Sequence, residues 1–257
     1  MPRLAANLSM LFAEVPFLDR FAAAARAGFT GVEFLFRYAW PIADIKARLQ
    51  GAGLEQVLFN LSPGDWDKGE RGLAALPGRE DQFARALDQA LAYAVELGCR
   101  RLHAMSGLQS QGASRDVLVA NLAKAARAAA RHDIDILIEP INTFDMPGYL
   151  LTRTVDAAAI ISDVGAANLK LQLVLYHRHR SEGDALAAIA AFSPLVGHYQ
   201  IAGPPDRGEP VPSELDVAAL FAAIDASGYD GWMGCEYRPR NGTLAGLSWR
   251  EGISNRT

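Results

Sequence analysis

One pattern recurs along the chain: a short apolar run rich in β-branched and aromatic residues, a polar loop, then a longer Ala- and Leu-rich stretch with helical spacing. Strands are expected at Leu4–Ser9, Gly31–Phe36, Leu54–Asn60, Arg100–Met105, Asp135–Glu139, Leu169–Leu175, Val196–Ala202 and Trp232–Tyr237. Between them the spacing predicts helices, among them Val15–Ala27, Ile42–Ala52, Arg79–Leu97, Arg115–His132 and Val217–Ser227. Gly28, Gly53, Gly98 and Gly228 each follow a helical stretch and precede a strand, where a left-handed residue closes the helix. Strict alternation implies parallel strands with right-handed crossovers, and eight such units close most economically as a (β/α)8 TIM barrel. A doubly wound open sheet would usually carry a glycine-rich phosphate loop after its first strand, and Ala5–Leu11 contains no glycine.

At 257 residues and 50% hydrophobic, the chain is long and apolar enough for one barrel, and no linker or compositional break divides it. Residues 1–257 therefore read as a single domain. A net charge of −4, with 25 basic residues dispersed among 29 acidic ones, argues against nucleic acid as a partner. No apolar run approaches the ~18 residues of a membrane span, and the N-terminus lacks the pattern of a secretory signal. Cys99 and Cys235 are too few for a disulfide framework, so a reducing, cytoplasmic setting is expected. Without a phosphate loop, no nucleotide cofactor is expected; the sequence leaves room for a homo-oligomer.

The active site of such a barrel lies at the C-terminal strand ends, and nearly every strand here ends in polar residues. They are Asn7 and Ser9, Glu33 with Arg37 beyond it, Asn60, His103, Glu139, His177 and His179, His198 and Gln200, and Glu236. Any one alone can cap a helix or bond a loop. Their convergence is what points to a site, and Glu139 and Glu236, each ending an apolar strand, form the strongest pair. Oxygen donors from Glu139, Glu236 and Gln200 suit Mg²⁺ or Mn²⁺, while two carboxyls can equally pass a proton. Asn7, Phe12, Glu33, Arg37, Asn60, His103, Asp206 and Arg207 are expected at the mouth, with Arg37 or Arg207 available to a substrate carboxylate. The long loop Leu61–Gly78 reads as a lid carrying Trp66, and Cys235 as a buried apolar residue facing away from Glu236.

Four segments carry a resemblance: Ala5-Ala6-Asn7-Leu8-Ser9-Met10, Leu73-Ala74-Ala75-Leu76-Pro77-Gly78-Arg79-Glu80, Gln200-Ile201-Ala202-Gly203-Pro204-Pro205-Asp206-Arg207, and Gly234-Cys235-Glu236-Tyr237-Arg238-Pro239. In order, and over essentially the whole chain, they resemble the hydroxypyruvate isomerase family of xylose-isomerase-like TIM barrels, which includes the 2-oxo-tetronate isomerases. The resemblance implies interconversion of hydroxypyruvate with 2-hydroxy-3-oxopropanoate, or of a related small keto acid, through an enediolate. It implies that Glu139 and Glu236 are the proton carriers. It also implies a divalent metal between the two glutamates, an aspartate ending the sixth strand, and a His or Gln from the seventh, where Gln200 stands.

Two positions depart from that pattern. Val174 stands where the metal aspartate is expected, and Gly208 where the family usually has histidine; Arg178-His179 also differs from the usual residues. Three readings remain open: His177, His179 or water replaces the lost ligand; the glutamates work without tightly bound metal, with His103, Arg37 or His177 polarising the carbonyl; or the barrel serves another reaction or only binds a ligand. A metal nuclease, also known in this superfamily, is disfavoured by five histidines and the negative charge.

Overall fold

The computed structural model describes residues 2–211 and 214–250. Among them eight parallel strands close into a barrel in chain order, with the last strand returning to the first. They are β1 (Arg3–Asn7), β2 (Gly31–Phe34), β3 (Glu55–Asn60), β4 (Arg101–His103), β5 (Asp135–Ile138), β6 (Leu169–Val174), β7 (Val196–Ile201) and β8 (Trp232–Cys235). The crossovers carry α1 (Arg20–Arg26), α2 (Ile42–Ala52), α3 (Glu80–Leu97), α4 (Arg115–Ala130), α5 (Thr154–Val164), then α6 (Leu175–Glu182) and α7 (Ala185–Phe192) together, and α8 (Val217–Ala226). Gly53 and Gly98 close α2 and α3 in the left-handed conformation, at φ 63° and 67°.

Except for β3, the strands stop one or two residues sooner than expected from the apolar pattern. The ladder gives way where the backbone turns into the loops over the barrel mouth. Glu139 and Glu236 are consequently the first residues beyond β5 and β8. The helix expected from Val15 begins only at Arg20, because Pro16 is extended and Phe17–Asp19 form a 3-10 turn. Among the described residues no helix is long and apolar enough to cross a membrane.

The large core lies between the outer strand faces and the helices, where Phe21, Leu118, Leu122, Ile160 and Leu220 are buried. Inside the barrel, alternation stacks two unlike layers. The lower is apolar, a separate cluster of Ala5, Val57, Leu58, Leu137 and Trp232. Above it lie Asn7, Glu33, His103, Gln172, His198 and Gln200, all buried. Glycine makes this arrangement fit: a Cβ on Gly31 would lie 2.6 Å from the Trp232 ring, and one on Gly234 would collide with the Glu33 carboxylate. Gly234→Ala is therefore expected to cost about 1–3 kcal/mol by overpacking, read as a lowered urea midpoint; an unchanged midpoint would show that Glu33 can move aside.

Candidate active site

A cavity of about 420 Å³ opens at the C-terminal end of the barrel. Asn60, His103, Glu139, His177, Arg207 and Glu236 face into it, and Trp66 and Arg71 of the lid loop line its wall. The long loop is pinned to the chain beyond β4 by Ala74 N–H on the Met105 carbonyl at 3.3 Å and Ala75 N–H on the Ser106 carbonyl at 2.9 Å. The Trp66 ring packs on Phe36, with centroids 5.1 Å apart, and carries the Arg71 guanidinium 3.8 Å above it. Trp66 thus takes the expected place over the cavity.

The two glutamates have unlike surroundings. Glu139 accepts from Gln172 Nε2 at 3.0 Å and lies 3.5 Å from His103 Nδ1 and 3.4 Å from His177 Nε2. Burial, with Glu236 as a neighbouring anion, pushes the Glu139 carboxyl well above the usual carboxylate range. Burial also raises Glu236, but the Arg207 guanidinium opposes that rise directly, donating through Nη2 to Glu236 Oε2. The histidines are held neutral: burial brings His103 down to about 3, and burial with Arg207 nearby brings His177 well below its ordinary value. Asn142 Nδ2 lies 2.6 Å from His177 Nδ1 and supplies the donor, which assigns the ring proton to Nε2, on the Glu139 side. Both His103 ring nitrogens are buried without a hydrogen-bond partner.

Beneath the cavity a chain of hydrogen bonds joins the two carboxyls across the barrel. Gln172 Nε2 donates to Glu139 and, at 2.7 Å, to Gln200 Oε1. Gln200 Nε2 donates to Glu33 Oε1 at 2.6 Å. Asn7 Nδ2 donates to the same Glu33 oxygen at 2.9 Å and to Glu236 Oε1 at 3.4 Å, and His198 Nε2 lies 2.7 Å from Glu33 Oε2.

Of the residues expected at the mouth, Asn60, His103, Asp206 and Arg207 line the cavity with the glutamates, and the candidate His177 lines it too. Asn7, Glu33 and Gln200 lie one layer lower, in the buried chain. Arg37 is a correction: it is not in the cavity wall, because its guanidinium stacks 5.0 Å from the Phe17 ring and 5.8 Å from Trp40. Phe12 is another, packed edge-on to Phe29 in the core. His177 and His179 do not form a pair, since two residues along α6 turn the second outward to Glu214 at 3.1 Å. Cys235 is buried in the core, as expected. Sequence reasoning passed over Gln172, Asp145, Tyr176 and Arg71. Asn142 carries a signal for the first loop among these, its Oδ1 accepting from the Phe144 and Asp145 amides at 3.0 and 2.8 Å in an Asx turn.

The family described as "Xylose isomerase-like TIM barrel" matches residues 21–254, which defines the class of protein. A 2-oxo-tetronate isomerase of Cupriavidus necator is 54% identical over 253 residues, covering 97% of both chains. A hydroxypyruvate isomerase of Escherichia coli is 46% identical, covering 98% of this chain and 99% of its own. A crystal structure described as an AP endonuclease, family 2, from Brucella melitensis superposes with a TM-score of 0.95 at 46% identity, covering 98% of this chain and 99% of that one. Within its class, the chain belongs to the hydroxypyruvate isomerase family.

The divalent metal that the resemblance implies does not fit the residues present. Val174 sits in register with Gln200 on the adjacent strand and shares the inward parity of Gln172, yet has no lone pair to offer. The other donors are engaged: Gln200 Oε1 by Gln172, and Glu236 by Asn7 and a guanidinium. His177 presents its protonated Nε2 to Glu139. Among the described residues, no group of three or more His, Cys, Asp or Glu side chains could hold a metal ion.

The depressed histidines set a pH dependence of stability. A histidine whose folded pKa lies below its unfolded value of about 6.5 contributes stability that is present above 6.5 and lost as pH falls toward the folded value. With His103 at about 3, the loss at pH 5 is about 2 kcal/mol for that residue. His103→Gln is expected to lose less stability than the wild type between pH 7 and pH 5 in urea titrations; parallel losses would show that His103 is charged in the fold.

Proposed function

We propose that the protein moves the carbonyl of a small 2-oxo acid to the neighbouring carbon, as in the interconversion of hydroxypyruvate with 2-hydroxy-3-oxopropanoate, using Glu139 and Glu236 as proton carriers. The observation that carries this reading is the unequal pair of buried carboxyls at one cavity, Glu139 held toward its acid form and Glu236 paired with Arg207. The names of the Cupriavidus necator and Escherichia coli relatives support the same reaction class.

In the forward direction the Glu236 carboxylate takes a proton from the hydroxyl-bearing carbon, and the electron pair moves into the new carbon–carbon double bond as the carbonyl oxygen gains charge. Glu139 then delivers its proton to the former carbonyl carbon. Neutral His103 joins the two oxygens: one ring nitrogen accepts the hydroxyl proton while the other returns one to the former carbonyl oxygen, leaving the ring neutral. The two carboxyls end with exchanged protonation and reset through water before the next turnover.

The substrate carboxylate needs a separate cation, and Arg71 is placed for it. Its Nη1 donates to the Trp66 and Glu70 carbonyls at 2.9 and 2.8 Å, and among the described residues no carboxylate pairs with it. Stacking on Trp66 fixes the guanidinium plane for a two-point contact.

Proton NMR of hydroxypyruvate in D₂O tests the reaction, through isomer formation and deuterium uptake. Glu139→Gln and Glu236→Gln are each expected to lower kcat by about 10²–10⁴-fold, and retention of turnover by both would sink the mechanism. Activity should fall as pH rises through the elevated Glu139 value, because the acid form is lost. Arg71→Ala should raise KM by about tenfold or more while kcat holds, the mark of an anchor outside the chemistry; an unchanged KM would remove Arg71 from the site. Nicking of abasic-site DNA, the activity in the name of the Brucella melitensis structure, is expected to be absent from the same preparation.

A further inference from the structure

Arg207 stands on a tight turn built to aim it inward. Gly203 and Gly208 close the turn with reciprocal backbone bonds of 2.8 and 3.0 Å, and Arg207 takes φ 60° within it. That left-handed conformation is unfavourable for a non-glycine residue, so the surroundings must hold it. Arg240 holds it from outside, donating to Asp206 Oδ1 at 2.7 Å and Glu209 Oε2 at 2.8 Å. Its guanidinium lies across Gly208, where a Cβ would collide with it. The glycine at 208 and the arginine at 240 are thus one device, and its product is the direction of Arg207.

Inside the cavity, Arg207 donates to Glu236 from Nη2, lies 3.5 Å from Asp145 Oδ2 through Nη1, and rests 5.6 Å from the Tyr176 ring centroid. Its Nε is buried with no partner. The guanidinium therefore sits beside the two buried carboxyls with donor capacity left over, while Val174, in register with Gln200, offers a divalent cation no ligand.

We propose that the Arg207 guanidinium is the electropositive centre of the reaction, stabilising the two enediolate oxygens in place of a divalent metal. This rests on the isomerase reading above. A planar guanidinium is permanently charged and presents several N–H donors to adjacent oxygens. In a water-poor cavity, such preorganised donors stabilise developing negative charge without reorganising.

The test combines metal binding with kinetics. Mn²⁺ titration followed by electron paramagnetic resonance should show no stoichiometric binding to the chelator-treated wild type, and tight binding to Val174→Asp. EDTA should leave wild-type turnover of hydroxypyruvate unchanged. Arg207→Met and Arg207→Lys should lower kcat by about 10²–10³-fold, with thermal melts confirming the fold; the lysine variant keeps the charge if the methionine variant is unstable. In the double variant Val174→Asp/Arg207→Met, Mn²⁺ should recover about tenfold or more of the activity lost in Arg207→Met. Stoichiometric Mn²⁺ on the wild type, EDTA-sensitive turnover, or unchanged kcat in both Arg207 variants would each overturn the proposal. If hydroxypyruvate is not turned over at all, the isomerase reading fails, while the Mn²⁺ titrations still decide whether the cavity accepts a metal.

Discussion

The buried hydrogen-bond chain from Glu139 through Gln172, Gln200, Glu33 and Asn7 to Glu236 is the constraint on which the site depends. It crosses the barrel interior on side chains from β1, β2, β6 and β7, so the relative placement of the two carboxyls is set by strands rather than by loops. Breaking one member leaves a buried polar group unpaired, at a cost of about 1–3 kcal/mol. The chain needs room, and Gly234 supplies it beside the Glu33 carboxylate, while Gly31 makes space for the Trp232 ring of the apolar cluster. The apolar cluster of Ala5, Val57, Leu58, Leu137 and Trp232 lies below it.

Burial at this end of the barrel makes small differences of neighbour matter. Glu139 and Glu236 are the same residue at equivalent strand ends, and burial raises both. Only Glu236 has a guanidinium in contact, and that contact opposes the rise that burial causes. The histidines follow the same logic: with burial keeping them neutral, His177 is oriented by Asn142 while both His103 ring nitrogens are buried without a hydrogen-bond partner. Protonated histidines there would instead favour the carboxylate form of Glu139 and erase the asymmetry.

Much of this was legible in the sequence because the period of the pattern carries it. Strand–helix alternation gave the barrel, and an acidic residue ending an apolar run gave Glu139 and Glu236. Height along the barrel was not legible: parity says that Asn7, Gln200 and Glu33 point inward, but not that they stop a layer below the mouth. Nor does a lone arginine after a strand declare its neighbours. Arg37 was expected at the mouth and Arg71 was not, yet Phe17 and Trp40 capture the first while the second stacks on Trp66 in the cavity wall. Gln172 was not legible as a site residue, since its role depends on Glu139 and Gln200 brought from neighbouring strands.

The departures at Val174 and Gly208 become one change when charge is counted. Glu33, Glu139, Glu236 and Asp145 already surround this end of the barrel, and Arg207 is the cation in contact with two of them. An aspartate at 174 would add an anion to a desolvated layer and call for a second cation; valine removes that demand. A fixed guanidinium needs no loading, but it must be held in place by covalent geometry. The strained turn, Gly208, and Arg240 on the outer rim meet that requirement, so residues that never touch the cavity become part of how its charge is arranged.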